Sequence, residues 1–186
     1  MKINWLKKCF FRNKYNFERV SKELDKEKFI NNYPEIDHCL YDQIQAYNAL
    51  FLVDTSYTQE IVELINRHST MSYELKRDKK YQDLSNEKTF VKVNIFSDFN
   101  GDIIHLITDN ENLISDLLIH HHQPPSPEIS FPEVYPLGLG SLQGNIDFWL
   151  NSLWMPFYLS LSEDERNKLQ LPPDWFEYLE EIRSGI

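Results

Sequence analysis

Between Thr89 and Thr108 the chain reads Thr-Phe-Val-Lys-Val-Asn-Ile-Phe-Ser, then Asp-Phe-Asn-Gly-Asp, then Ile-Ile-His-Leu-Ile-Thr. Val91, Val93 and Ile95 alternate with Phe90, Lys92 and Asn94, which is the two-residue period of a strand, and the β-branched content favours a pleated surface. The Asn100-Gly101 step tolerates the backbone of a tight turn, so the two runs predict a β-hairpin. Met71–Leu75 predicts a third strand, with the polar Lys76–Lys88 as the connecting loop. A small antiparallel sheet would then sit between helices.

Helical spacing covers most of the remainder. Phe17, Val20, Leu24 and Phe29 predict an amphipathic helix over Phe17–Ile30. Tyr33-Pro34 breaks it, and Pro34 suits the first residue of a second helix, with Glu35 and Asp37 in its opening turn. Ile36, Leu40, Ile44, Tyr47 and Leu50/Phe51 then recur every three or four residues. That spacing predicts a helix of about 18 residues. Ile61, Val62, Leu64 and Ile65 give a third helix, Thr58–His68, and Leu113, Ile114, Leu117 and Leu118 a fourth, Asn112–His121.

Residues 123–144 hold five of the nine prolines and three of the five glycines. They predict an irregular stretch that wraps over the surface, since Ile129, Phe131, Val134 and Leu137 offer too much apolar surface for a free linker. Beyond it, Asn145–Leu159 reads as a helix that Pro156 kinks. Ser162 and Glu165 form a capping box opening a helix to Leu169, and Pro173-Asp174 precedes a last helix closed by Gly185. The expected fold class is α+β and mainly helical, a small antiparallel sheet (the hairpin near 89–108) packed with about six to seven helices. All of it falls in a single domain, 1–186: a basic helical segment 1–31, helices and hairpin 32–122, the irregular segment 123–144, and an acidic helical module 145–186.

A chain of 186 residues is long enough for one core and short for two. Hydrophobic content of 41% with 14% aromatics lies well away from the composition of disorder. No window approaches the ~18 uninterrupted apolar residues of a membrane helix, and the N-terminus shows no apolar run of signal-peptide length. A cytoplasmic address follows, with Cys9 and Cys39 read as reduced thiols rather than a disulfide framework. Charge is uneven. Residues 1–30 carry nine Lys/Arg against four Asp/Glu, and residues 31–186 ten against twenty-five, giving the net −10. Such a body repels a phosphate backbone. The basic head, with Trp5, Phe10, Phe11, Tyr15 and Phe17 among its cations, reads as an amphipathic first helix; a nucleic-acid or membrane-surface element is the alternative.

Candidates for chemistry are few. His120, His121 and His122 are consecutive, and neighbours on a helix point about 100° apart, so they cannot converge on one ion. They read as a solvated helix end. His38-Cys39 lacks any nucleophile signature around it. Gly138–Gly144 lacks the Gly-Lys-Ser/Thr ending of a phosphate loop. No catalytic, metal or cofactor residue is assigned.

What remains is the C-terminal module. Trp149, Trp154 and Trp175 lie at helical spacing and are expected inside. Asp147, Glu163, Asp164, Glu165, Asp174, Glu177, Glu180 and Glu181 face few cations beyond Arg166, Lys168 and Arg183. Unpaired surface carboxylates speed association with basic proteins, so these eight are the candidate partner-binding residues. The block from Gly144 onward, with Phe148-Trp149, Trp154, Pro156-Phe157-Tyr158 and Leu161-Ser162-Glu163-x-Glu165-Arg166, resembles the tails of immunity proteins of bacterial polymorphic toxin systems, contact-dependent growth inhibition included. The likeness covers about a fifth of the chain. Those proteins vary in fold and share no catalytic residues, so no residue role carries over. The resemblance implies a non-enzymatic partner that binds a toxin's C-terminal domain, often a basic nuclease, in a stoichiometric complex. The alternatives are a non-catalytic adaptor or phage-derived interaction protein, and a metal-dependent hydrolase using His105 or His120–His122.

Overall fold

The computed structural model describes residues 24–25, 28–30, 32–120, 122–140 and 142–185. Five antiparallel strands, β1 (Ile36–Tyr41), β2 (Ile44–Val53), β3 (Gln82–Asp83), β4 (Val91–Asp98) and β5 (Gly101–Thr108), form one sheet in the order β1-β2-β5-β4-β3. Helices follow as α1 (Thr58–Arg67), α2 (Glu111–Ile119), α3 (Pro127–Ser130), α4 (Asn145–Trp149), α5 (Met155–Ser160), α6 (Glu163–Lys168) and α7 (Pro173–Ser184).

Two tight loops set the register. Asp42 and Gln43 between β1 and β2 have φ of 46° and 68°, and Phe99 and Asn100 between β4 and β5 have 54° and 57°. Positive φ at both central residues is the turn whose twist matches that of the flanking strands. The β4–β5 turn is thus centred on Phe99-Asn100, one residue before the expected Asn-Gly step. Gly101 pairs with Asp98 as the first residue of β5. It is needed for close approach: a Cβ there would meet the Val53 carbonyl oxygen at 2.5 Å.

The strand period divides the core. Tyr47, Ala49, Phe51 and Val53 of β2, with Val93 and Ile95 of β4 and Ile104 and Leu106 of β5, meet Ile61, Leu64 and Ile65 of α1 and Leu113, Ile114 and Leu117 of α2 on one face. Leu52, Phe96 and Ile103 point the other way, into a second cluster with Trp149, Leu153, Trp154, Phe157, Tyr158, Trp175 and Leu179. The C-terminal helices form the third layer. Residues 123–140 lace the two together, because the Gln123 carbonyl accepts from Asp54 N at 2.8 Å and the Pro125 carbonyl accepts from Trp154 Nε1 at 3.0 Å.

Several expectations are corrected here. The fold is mixed α+β built on a five-stranded sheet, not a mainly helical domain with a small sheet. The error lies in residues 34–53, expected as a helix and folded as β1 and β2. Both faces of β2 are covered, so Leu50 and Leu52 add apolar residues to the buried set at 47, 49, 51 and 53, and a two-sided apolar run imitates helical spacing. Met71–Leu75 is not a strand. Tyr73 is instead pinned there, its N–H donating to Asn66 Oδ1 at 2.6 Å and its hydroxyl accepting from Ile95 N at 3.1 Å. The short β3 lies in the stretch read as loop. The helix over Phe17–Ile30, the basic head and Cys9 fall largely or wholly outside the described residues.

The other helices sit close to their expected places. Asn110 caps α2 through Asn112 N and Leu113 N, Ser162 and Glu165 close the capping box of α6, and Gly185 ends α7 with φ 73°. Between α4 and α5, Leu150–Trp154 widens into a π-helical turn in which Met155 N–H reaches the Leu150 carbonyl. Pro156 has no N–H and its ring collides with the carbonyl four residues back, which accounts for the widening.

Candidate functional site

The C-terminal layer places its tryptophans and its acids on opposite sides. Trp149, Trp154 and Trp175 are buried, with ring centroids 6.0 Å apart for Trp149–Trp154 and 5.8 Å for Trp149–Trp175. Glu163 and Asp164 on α6, and Glu177 and Glu181 on α7, are exposed and make no ion pair with any described residue. The other four candidates have internal duties. Asp147 is half-buried and accepts from Asn151 Nδ2 at 2.8 Å. Glu165 accepts from Ser162 N at 2.8 Å in the capping box. Asp174 is half-buried in the first turn of α7, where a carboxylate meets the helix dipole.

Glu180 is the centre of a small network. It accepts from Arg183 at 2.6 Å and from Tyr158 Oη at 2.8 Å, with Arg166 Nε 3.5 Å away. The Arg183 hydrogen bonds outweigh burial and hold its carboxyl below the usual range, while burial first and Glu180 second push the Tyr158 hydroxyl up. Two of the three nearby cations therefore make their ion pairs with one acid, and the exposed carboxylates of α6 and α7 make none among the described residues.

Two grooves run beside α5. One, of about 430 Å³, is bounded by Phe29, Ile30, Glu35, Ile36 and Asp37 on one side and Pro156, Leu159 and Ser160 on the other. The second, of about 420 Å³, lies toward α6 and the end of α2, with Tyr33, Phe157, Leu161, Leu169, Glu165 and Lys168 in its lining. Asn32 and Ser160 belong to both, so they form one trough. Glu35 and Asp37 were expected to favour the start of a helix. Glu35 instead leads into β1 and Asp37 is its second residue, and both stand exposed.

A polar band crosses the sheet on the face shared with the C-terminal layer. His105 of β5 donates from Nε2 to Asn48 Oδ1 at 2.6 Å, which leaves Nδ1 to accept from Tyr81 Oη at 2.5 Å. Asn94, directly opposite on β4, is fully buried, and its carboxamide finds no hydrogen-bond partner among the described residues. Lys92 reaches Tyr41 Oη at 2.9 Å and lies 4.4 Å from the Tyr41 ring centroid. Lys92 and Asn94 alternate with valines, a pattern that suggests a wet face. Only the covering of that face, which strand period does not report, distinguishes wet from buried.

His105 is 4% exposed, and burial pushes its pKa down to about 4 from 6.5. Between those values the unfolded chain binds a proton that the folded chain refuses, so stability is greatest above pH 6.5 and falls as pH drops toward 4. The expected loss is about 3 kcal/mol at about 1.4 kcal/mol per pKa unit. Urea unfolding at a series of pH values measures it, and a His105→Gln variant should flatten that part of the curve. An unchanged slope in the variant would place the proton uptake elsewhere.

The histidine run does not gather. His120 follows the end of α2 in extended conformation, its Nδ1 2.6 Å from Glu60 Oε1, and stacks on buried His122 with centroids 6.1 Å apart. His121 lies outside the described residues. Among the described residues no group of three or more His, Cys, Asp or Glu is placed to hold a metal ion. Cys39 is half-buried on β1, Gly138 ends a single 3-10 turn, Pro136–Gly138, and Gly140 lies just beyond it. Among the described residues no helix is long and apolar enough to cross a membrane. No family model, no curated protein and no solved structure matches the chain.

Proposed function

We propose that the chain is a cytoplasmic immunity protein that neutralises a cognate, basic toxin domain by forming a one-to-one complex with it. The observation that carries this reading is the division of labour in the C-terminal layer. Its aromatics are consumed by the core, and Glu163, Asp164, Glu177 and Glu181 are left facing outward with no ion pair among the described residues. A carboxylate surface of this kind contributes little to folding. It raises the encounter rate with a positively charged protein and orients it, and it repels nucleic acid that such a toxin would otherwise hold. The resemblance of residues 144 onward to immunity-protein tails supplies the class of partner.

The test is co-expression with the C-terminal toxin domain encoded beside the gene, followed by purification of the complex. Protection of the host and a one-to-one complex are expected. Reversing Glu163 and Asp164 to Lys, or Glu177 and Glu181 to Lys, should slow association about tenfold at low salt and flatten its dependence on ionic strength. Absence of both complex and protection for the unaltered chain overturns the reading.

A further inference from the structure

We infer that the groove between α5 and the wall formed by Phe29, Ile30 and Glu35–Asp37 is the anchor point for the basic partner, taking an apolar segment that carries a Lys or Arg. This inference rests on the immunity reading and names the contact that holds the complex once charge has brought it together. The groove combines two features that folding does not explain. Ile30 and Leu159 are 63% and 56% exposed on its two sides, so large apolar side chains face solvent across a concave surface. Glu35 and Asp37 stand at the same place, exposed and without an ion pair among the described residues, and none of the described residues lining the groove is Lys or Arg.

A long cationic side chain suits both features at once. Its methylene stem lies against Ile30, Leu159 and Pro156 while its head donates to the two carboxylates, which makes a charge-assisted contact in a partly dry setting. A second copy of this chain fits less well, because it would bring the same pair of carboxylates to a self-complementary contact. The position also agrees with the acidic face. Through Asn32 and Ser160 the groove runs on into the one lined by Leu161, Glu165 and Leu169, and α6 carries Glu163 and Asp164 at that end. Steering and anchoring surfaces are therefore contiguous but made of different residues, and they act on different rate constants.

Binding kinetics of the full chain with the co-purified toxin domain separate the two. Leu159→Asp adds a negative charge, so steering alone predicts equal or tighter binding. The anchor predicts dissociation at least about tenfold faster, the size of effect expected for a buried apolar contact at an interface. Glu35→Lys with Asp37→Lys should likewise speed dissociation. All three positions are exposed, and a far-UV spectrum like that of the parent chain confirms the fold. If the complex forms and both variants dissociate at the parental rate, the groove is not the anchor while the immunity reading stands. If the unaltered chain forms no complex, that reading falls and the groove assignment with it. If the free chain sediments as a dimer that Leu159→Asp separates, a second copy covers the groove and the inference is overturned.

Discussion

Trp154→Ala is expected to lower the unfolding free energy by about 4–5 kcal/mol, close to the whole stability of a marginal domain. The indole is 1% exposed and meets three other rings, Trp149, Phe157 and Tyr158, at centroid distances of 6.0, 5.6 and 5.6 Å. Removing it opens a cavity between the C-terminal layer and the sheet that these rigid neighbours cannot refill. It also strands the Pro125 carbonyl, which accepts from Nε1 and fixes residues 123–140 between the two clusters. Equilibrium urea unfolding followed by circular dichroism gives the number. A paired comparison isolates the hydrogen bond. Trp149 is equally buried, but its Nε1 has no partner among the described residues, so Trp149→Phe loses packing alone. Trp154→Phe should cost about 1 kcal/mol more than Trp149→Phe. Equal losses would mean that the Pro125 contact adds nothing to stability.

The helices that could be read along the chain are those that carry their own local signals, an apolar stripe or a capping pair. α1 shows Ile61, Val62, Leu64 and Ile65 to the sheet and charges to solvent, and α6 and α7 carry their capping signals at their own ends. The hairpin of β4 and β5 is buried on both faces, yet it was legible because polar Lys92 and Asn94 break the run of Val91, Val93 and Ile95 into a two-residue period and a polar turn separates the two runs. β2 was not. It lies second in the sheet, covered on both sides, and its apolar content exceeds one face. Reading β2 as helix carried β1 with it and hid the true setting of Glu35 and Asp37. The tryptophans were correctly expected inside, yet the acids divide in a way that spacing cannot show. Glu180 lies near Glu177 and Glu181 in the same helix, and only the fold brings Arg166 and Tyr158 against it. The His105 network joins residues 48, 81 and 105 across three segments, so no local motif announces it.

Asp102, the second residue of β5, carries the second large expectation. Its carboxylate is fully buried and accepts from Thr58 Oγ1 and Ser97 Oγ at 2.6 Å each and from Arg77 at 2.9 Å. Burial alone would raise its pKa, but the hydrogen bonds from Arg77, Ser97 and Thr58 together hold it below the ordinary carboxylate value. Asp102→Ala leaves two hydroxyls and a guanidinium without their acceptor. Breaking a buried pair costs about 3–5 kcal/mol, and the half-exposed Arg77 side chain can recover water, which places the expected loss near 3 kcal/mol. Arg77 sits at φ 52° in the stretch before β3, so amide exchange should accelerate over residues 76–83 more than in α2. The acid limb gives an independent check. Because the folded carboxyl titrates below the unfolded one, the unfolded chain takes the proton first, and the stabilisation is present above about pH 4 and lost as pH falls through the folded value. His105 acts in the window from 6.5 down to about 4. Asp102→Ala should therefore shallow the stability curve below about pH 4 and leave the slope above it intact, whereas a variant with both limbs unchanged would show that the Arg77–Asp102 contact is not formed in solution.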